Sequence, residues 1–524
     1  MLDLLIQNGS IINGTGGTAY YGSVGIVGDR LHIIRGDSTG IDAARTIDAS
    51  GHVVCPGFID MHSHGGLVIL GEPKHEPKVR QGITTELIGI DGNSWAPFKS
   101  QHELHRFIEL DSGLNGIPPM PAQWKTVPEL LAMYDRKVAV NMCYILGNAP
   151  VRIWAVGWND RPATKKELDD MKSVVREVME EGAFGLSTGL DYPPGAYADT
   201  EELIELSKVV AGKGGMYHTH TRASLLQQGL LAPWQEAVKI GRDSGVPVHL
   251  THYRQRTEMV GSHLDYIGLV EDARNEGLDV TFDCYPYYIG STTATLSLPN
   301  WTMDGGPERL REVLSSPKER ARLHDEMTNN ATRFFGETWL TNFRKPHNKQ
   351  YDGQSLPDIA RLRGQDELNA LYDLILDEEL GLCTVGIATN PQTLPAFVAH
   401  PFGMVGSDAV MLGEFPSPRT YGCFPVILAE YVRAEKHLKL PEAIRKMTSF
   451  PAQRLGLSDR GLLYDGMKAD IVIFNPMTVK APATRTQPKL FPIGIPYVIV
   501  NGEIVIDDGD HTGALPGRAL RHGK

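Results

Sequence analysis

The sequence predicts an α/β protein, a TIM-like (β/α)8 barrel carrying a small β-sandwich domain built from both termini. Three observations predict it. Between residue 55 and about residue 430, short β-branched runs (VAVNMCYIL, PVHLTH, DVTFDC, MVGSD) alternate with helical-period segments such as KKELDDMKSVVREVMEEG and TEELIELSKVVAGKGG. Repeated strand and helix argues for a parallel sheet with crossover helices, and at this length for a closed barrel. The two ends of the chain share a different texture of alternating strands and turns. A doubly wound sheet is the other arrangement of this pattern, but no Gly-rich dinucleotide turn supports it.

Residues 2–54 run as LLIQNGSII, YGSVGIVGDRLHIIRG and ARTIDASGHVV, cut by Gly, Asn and Asp, which is hairpin chemistry. The texture changes at CPG (55–57). After the helical stretch ending in PAQRLGL, strands return in GLLYDGMKADIVIFNP and YVIVNGEIVIDDGD. Residues 1–55 and 450–524 are therefore expected to form the small β-domain and 56–449 the barrel. Within the barrel, about 297–400 reads as an irregular, charged excursion, placed where lids over active sites are built.

Composition narrows the function. With 41% hydrophobic and 22% charged residues, the chain is an ordinary globular protein. Fifty-one Lys and Arg against 63 Asp and Glu leave a net charge of −12, which repels polyanions and argues against a nucleic-acid partner. The five cysteines are widely spaced, with no CxxC, so neither a disulfide framework nor a zinc ribbon is indicated. Asp3 stands where a signal peptide wants positive charge, and no apolar run is long enough to span a membrane. A cytoplasmic protein without a membrane partner is expected.

The strongest local motif is His62-Ser63-His64, following the apolar run PGFIDM. Residues i and i+2 of a strand share a face, so both imidazoles leave the strand tip together, as a metal requires. Eighteen histidines in 524 residues would give fewer than one HxH pair by chance, so the pair alone proves little. Histidines recur, however, at other strand ends, as HTH (218–220) and HLTH (249–252), and Asp408 closes the apolar run MVGSD. Ligands from several strand tips, with a carboxylate as general base, form the parts list of metal-assisted hydrolysis. For His218 and His249 a structural role is the better reading.

At this point the chain resembles the amidohydrolase superfamily, and within it the D-aminoacylase, or N-acyl-D-amino-acid deacylase, group. The resemblance rests on VCPGFIDMHSH, GAFGLSTGLDYPPG (182–195), YHTHTR (217–222), DCYPY (283–287), VGSDAV, SPRTYGCFP (417–425), RKMTSFPAQRLGL (445–457), KADIVIFNP and VNGEIVIDDGDHTGALPGR, in that order along nearly the whole chain. It implies that His62 and His64 hold a weakly occupied metal position. It implies that His220 and His252 hold a tight one, and that Asp408 takes the proton of a metal-activated water. The family's cysteine ligand, in a phrase like GNCGFSLAP, is replaced: in GIDGNSWAP (89–97) its position is Asp91. Aspartate coordinates zinc at about 2.0–2.2 Å and can bridge two ions, so one or two zinc ions are expected, with cobalt or manganese as substitutes. The plainer reading of Asp91 is a turn cap before Gly92 and Asn93.

The same resemblance assigns substrate-carboxylate binding to Arg254, Tyr285, Ser291 and Arg419, and Tyr192 of GLDYPPG joins this set. Arg254 stands where the family has lysine and Ser417 where it has histidine, which suggests a remodelled pocket. The implied activity is hydrolysis of N-acyl-D-amino acids to a carboxylate and the free D-amino acid. Hydrolysis of a cyclic amide or imide, or of another small amide including N-acyl-L-amino acids, is the alternative for the same metal site. The partner is thus a small amide, and barrels of this superfamily are often homo-oligomeric.

Overall fold

The computed structural model describes residues 1–36, 38–257, 261–329 and 337–523. Among them, parallel strands follow one another as Phe58–Asp60, Ile83–Ile88, Asn141–Tyr144 continued by Leu146–Gly147, Gly185–Gly189, Met216–His220, Val248–Leu250, Val280–Cys284 and Gly403–Val405. The ring closes where the Met61 N–H donates to the Val405 carbonyl at 3.4 Å and Ser63 bridges Ala409 in parallel. The barrel predicted from alternating texture is therefore present.

The crossover helices form for local reasons. In Lys165–Glu181, Thr164 and Glu167 make a reciprocal capping box, and Met171, Val174, Val175, Val178 and Met179 bury one stripe at helical spacing. Gly182 ends the helix at φ 108°, where a Cβ would stand 2.6 Å from Arg521 Cβ. Thr200–Ala211, Ala232–Ser244 and His263–Asn275 precede the next three strands in the same way.

The two chain ends meet in a nine-stranded sheet, where Val53–Pro56 runs antiparallel to Ile471–Phe474. Leu4, Ile6, Val24 and Ile26 from one end and Ile471, Ile473 and Ile499 from the other fill one apolar core, the arrangement of a small β-sandwich. Within the stretch expected to be irregular, the described residues hold a three-stranded antiparallel sheet, Ile289–Thr293, Thr338–Thr341 and Cys383–Ile387. It starts ahead of residue 297. The described residues contain no helix long and apolar enough to cross a membrane.

Candidate metal centre and substrate cavity

The centre is assembled from strand tips. His62 and His64 follow Phe58–Asp60, Asp91 follows Ile83–Ile88, His220 ends Met216–His220, His252 follows Val248–Leu250, and Asp408 follows Gly403–Val405. Asp91 lies at the middle. Its Oδ2 stands 3.4 Å from His62 Nε2, 3.7 Å from His64 Nε2, 3.7 Å from His220 Nδ1 and 3.9 Å from His252 Nε2. Asp408 Oδ1 faces His64 Nε2 at 3.3 Å and His62 Nε2 at 3.6 Å, while its Oδ2 pairs with Arg419 Nη1 at 2.9 Å.

Asp91, His252 and Asp408 all adopt positive φ, at 53°, 36° and 48°. Non-glycine residues enter this region rarely and mostly where the surroundings hold them, so three such residues around one point mark a functional centre. Close backbone approach makes room for them. A Cβ at Gly189 would lie 1.9 Å from the Asp91 carbonyl oxygen, and one at Gly406 would lie 2.7 Å from both Asp283 Oδ1 and His62 Cβ.

The donor set fits a divalent cation. Both nitrogens of the fully buried His62 and Oδ1 of Asp91 have no hydrogen-bond partner, a costly state for polar atoms without water. His220 Nδ1 and His252 Nε2 face each other at 2.9 Å. Imidazole nitrogens and carboxylate oxygens converging on one point are what zinc or a similar ion binds. Among the described residues four groups of three could hold an ion. Two of them, His62, His64 and Asp91 on one side and Asp91, His220 and His252 on the other, share Asp91. The other two, His62 with His218 and Asp283 and His62 with His252 and Asp408, share His62.

Neighbouring groups orient these candidate ligands. His220 Nε2 meets Asp191 Oδ2 at 3.2 Å, and His64 Nδ1 meets Asn115 Oδ1 at 3.1 Å. Asp283 Oδ1 accepts the His252 N–H at 2.8 Å, and its Oδ2 lies 3.7 Å from His62 Nδ1. Burial pushes the His220 imidazole down, but Asp191 and Asp91 outweigh it and raise it to about 9. Burial likewise disfavours the Asp91 carboxylate, yet His62 and His220 hold it well below the usual carboxylate range. Against the same burial, Arg419 and His62 keep the Asp408 carboxyl low and ionised. His218, lowered to about 3 by burial and by His249 and His62, reaches the Met61 carbonyl at 3.2 Å, and His249 sits between Thr281 and Asp283. His249 thus has both ring nitrogens bonded within the protein, whereas His218 Nδ1 has no partner and His218 stands beside His62 and Asp283 in a group that could hold an ion.

A cavity of about 250 Å³ opens over Asp91, His220, His252 and Asp408. Arg254, Tyr285, Ser291 and Tyr192 line it, so four of the five residues expected to meet substrate stand on its wall. Arg254 lies over the Tyr285 ring at 4.6 Å. Arg419 does not line the cavity. It is fully buried against Tyr285, 4.1 Å from the ring, and its Nη2 reaches Ser291 Oγ at 3.2 Å. Its charge is matched by Asp408. Ser417 is buried too, donating to the Ile289 carbonyl at 2.9 Å.

Sequence reasoning did not single out Asp191, Asn115, Asp283 or Arg256. Asp191 lies in GLDYPPG and Asp283 in DCYPY, phrases whose position after a strand carried the signal. Asn115 and Arg256 carry none. Arg256 adds a further cation to the cavity wall.

The sequence pattern of the amidohydrolase family matches residues 45–282 and 338–506. The chain is 32% identical to an N-acyl-D-glutamate deacylase of Alcaligenes xylosoxydans xylosoxydans over 99% of this chain and 96% of that protein. It is equally identical to a D-aminoacylase of the same organism, over 99% and 97%. The crystal structure of an N-acyl-D-glutamate deacylase from Bordetella bronchiseptica, complexed with zinc and a phosphonate inhibitor, superposes with a TM-score of 0.82 at 29% identity, covering 99% of each chain. A D-aminoacylase structure described with a binuclear metal center gives 0.81 at 30% identity, covering 99% of this chain and 100% of that one. A barrel whose strand tips gather imidazoles and carboxylates beneath a cavity, matched by that pattern over most of its length, belongs to the amidohydrolase family.

Proposed function

We propose that this chain hydrolyses the amide bond of N-acyl-D-amino acids, releasing a carboxylate and the free D-amino acid. The observation that carries the reading is the convergence of His62, His64, Asp91, His220, His252 and Asp408, of which Asp91, His220, His252 and Asp408 line a cavity walled by Arg254, Tyr285, Ser291 and Tyr192. The two relatives at 32% identity, named for D-glutamate and D-amino-acid substrates, support it.

His62, His64, Asp91, His220 and His252 would hold one or two divalent ions, zinc foremost, with cobalt or manganese as substitutes. When bound, such an ion polarises the scissile carbonyl and lowers the pKa of the attacking water toward about 7. The remaining work belongs to the chain. Asp408 Oδ2 is held by Arg419, leaving Oδ1 to accept a proton from the attacking water. The same oxygen then delivers that proton to the leaving nitrogen as the carbon–nitrogen bond breaks. Arg254, stacked on Tyr285, anchors the substrate carboxylate, with Ser291 and Tyr192 completing the wall.

Arg419 is matched by Asp408, and Arg254 lines the cavity beside Tyr285 as a cation toward substrate. That charge favours an acyl amino acid over a cyclic imide, which offers no carboxylate. All five cysteines are buried and free, which suits a cytoplasmic enzyme.

The test is amine release from N-acetyl-D- and N-acetyl-L-amino acids and from cyclic imides, before and after chelation. D-selective turnover lost on chelation and restored by zinc is expected. Turnover of cyclic imides alone would overturn the substrate assignment while leaving the metal chemistry.

A further inference from the structure

Behind the centre lies a buried ionic cluster that the reaction does not use. Lys78, in the short helix Glu76–Val79, has no exposed side-chain surface. Its Nζ hydrogen-bonds Asp60 Oδ2, donates to Ser407 Oγ at 2.9 Å and lies 3.1 Å from Glu86 Oε1. Glu86 Oε2 in turn accepts from Ser63 Oγ at 2.9 Å and meets His75 Nε2 at 3.1 Å. Asp60, Glu86 and Ser407 are all 0% exposed.

The bonds at Asp60 show what the cluster holds. Its Oδ1 accepts two backbone N–H groups, from Ser407 at 2.8 Å and His62 at 3.2 Å, and its Oδ2 accepts the Ser407 hydroxyl. His62 and Ser407 follow different strands of the barrel, at its closing seam. On the next residue, the Asp408 N–H donates to the His62 carbonyl at 2.8 Å, at the point where Asp408 takes its left-handed φ of 48°. An apolar filling would pack this space as well as three buried charges do. It could not gather two backbone donors and a hydroxyl on one carboxylate.

We propose that Asp60, Lys78 and Ser407 are positioning residues, a clamp that locks the His62–His64 strand tip to the Asp408 turn. The clamp sets both the metal position on the His62 side and the aim of the general base. The inference rests on the metal-centre reading above.

The test compares the full chain with Ser407→Ala and Asp60→Asn. Ser407→Ala leaves every charge in place, so it tests positioning even where Asp60→Asn fails to fold. Zinc affinity is measured by competition with a chelator, kcat and KM with the best N-acyl-D-amino acid, and amide hydrogen exchange at 404–410 in metal-free protein. Ser407→Ala should lower kcat and weaken the looser zinc position about tenfold, while KM and the tighter zinc position hold. Exchange at Asp408 should quicken, a change that needs no metal and that loss of packing elsewhere would not localise there. Kinetics, zinc affinities and exchange all within about twofold of the unsubstituted chain would overturn the clamp. An unsubstituted chain that binds no zinc in the same titration would overturn the metal-centre reading instead.

Discussion

The two sides of the centre are built differently. His62 and His64 are almost fully buried, and Asp60 and Glu86, which accept from the His62 N–H and the Ser63 hydroxyl, are closed off from solvent with Lys78. His220 and His252 face the cavity, the His252 side chain 12% exposed and the supporting Asp191 side chain 20% exposed. A hydrogen bond in a dry, low-dielectric place is strong when made and costly when lost, whereas one near water can be replaced by water. One side is therefore suited to fix geometry and the other to admit substrate. Asp283 joins them, meeting the His252 backbone through one oxygen and lying near His62 through the other.

The largest expected effect lies where both sides aim. Asp408→Asn should lower kcat by up to about 10⁴-fold, the upper range for a general acid–base group. The zinc bound per chain should remain, because the imidazoles and Asp91 stay. Metal analysis beside steady-state kinetics checks this, and zinc lost in parallel with activity would make Asp408 a ligand before it is a base.

The dry side should also betray itself in pH dependence. Asp111 accepts from Asn115 Nδ2 at 2.7 Å, and Asn115 orients His64. Burial pushes the Asp111 carboxyl up to about 8 despite that hydrogen bond. Below its unfolded pKa of about 3.9 the group is protonated in both states, and above that value only the unfolded chain releases the proton. Stability of the metal-free protein should thus fall as pH rises from about 4 to about 8, by several kcal/mol over the whole window. Asp111→Asn should flatten this slope in denaturant titrations at a series of pH values. An unchanged slope would mean that water reaches this side and that the contrast is weaker than drawn.

Sequence carried the barrel and the residues that converge at its strand tips because both leave local marks. Alternating texture marks strand and helix, and a histidine at a strand tip is visible wherever the strand is. The clamp leaves none. Lys78 sits in HEPKVRQG, a short segment with three charges and no apolar periodicity, and its partner Ser407 is far along the chain. Lys, Asp and Glu are rarely buried without partners, so only the fold could reveal that these are. The antiparallel sheet was hidden for the same reason, since Ile289–Thr293 pairs with Cys383–Ile387 across a long separation. Arg419 was legible as a cation near the site but not as the partner of Asp408, because its direction depends on packing against Tyr285.

The open side should respond more mildly. Asp191→Asn keeps the shape and removes the charge that holds His220, so zinc affinity at the His220 and His252 position should fall about 10- to 100-fold. Competition with a chelator reads this, and equal weakening of the position on the His62 side would show that the two sides are not separable.

The smallest effect tests the cover of that side. The Tyr192 ring packs edge-on to His220 at 5.1 Å between centroids, and its hydroxyl meets Thr292 Oγ1 at 3.0 Å on the antiparallel sheet. Tyr192→Phe keeps the ring and deletes the hydroxyl, removing about 0.5–1.5 kcal/mol, or about two- to tenfold. If this side admits substrate, the loss should fall on KM, with kcat and zinc affinity unchanged, because the sheet is loosened while His220 keeps its aromatic neighbour and Asp191. A fall in kcat with zinc affinity would break the contrast, since the open side would then depend on its cover for geometry as the dry side depends on its buried charges.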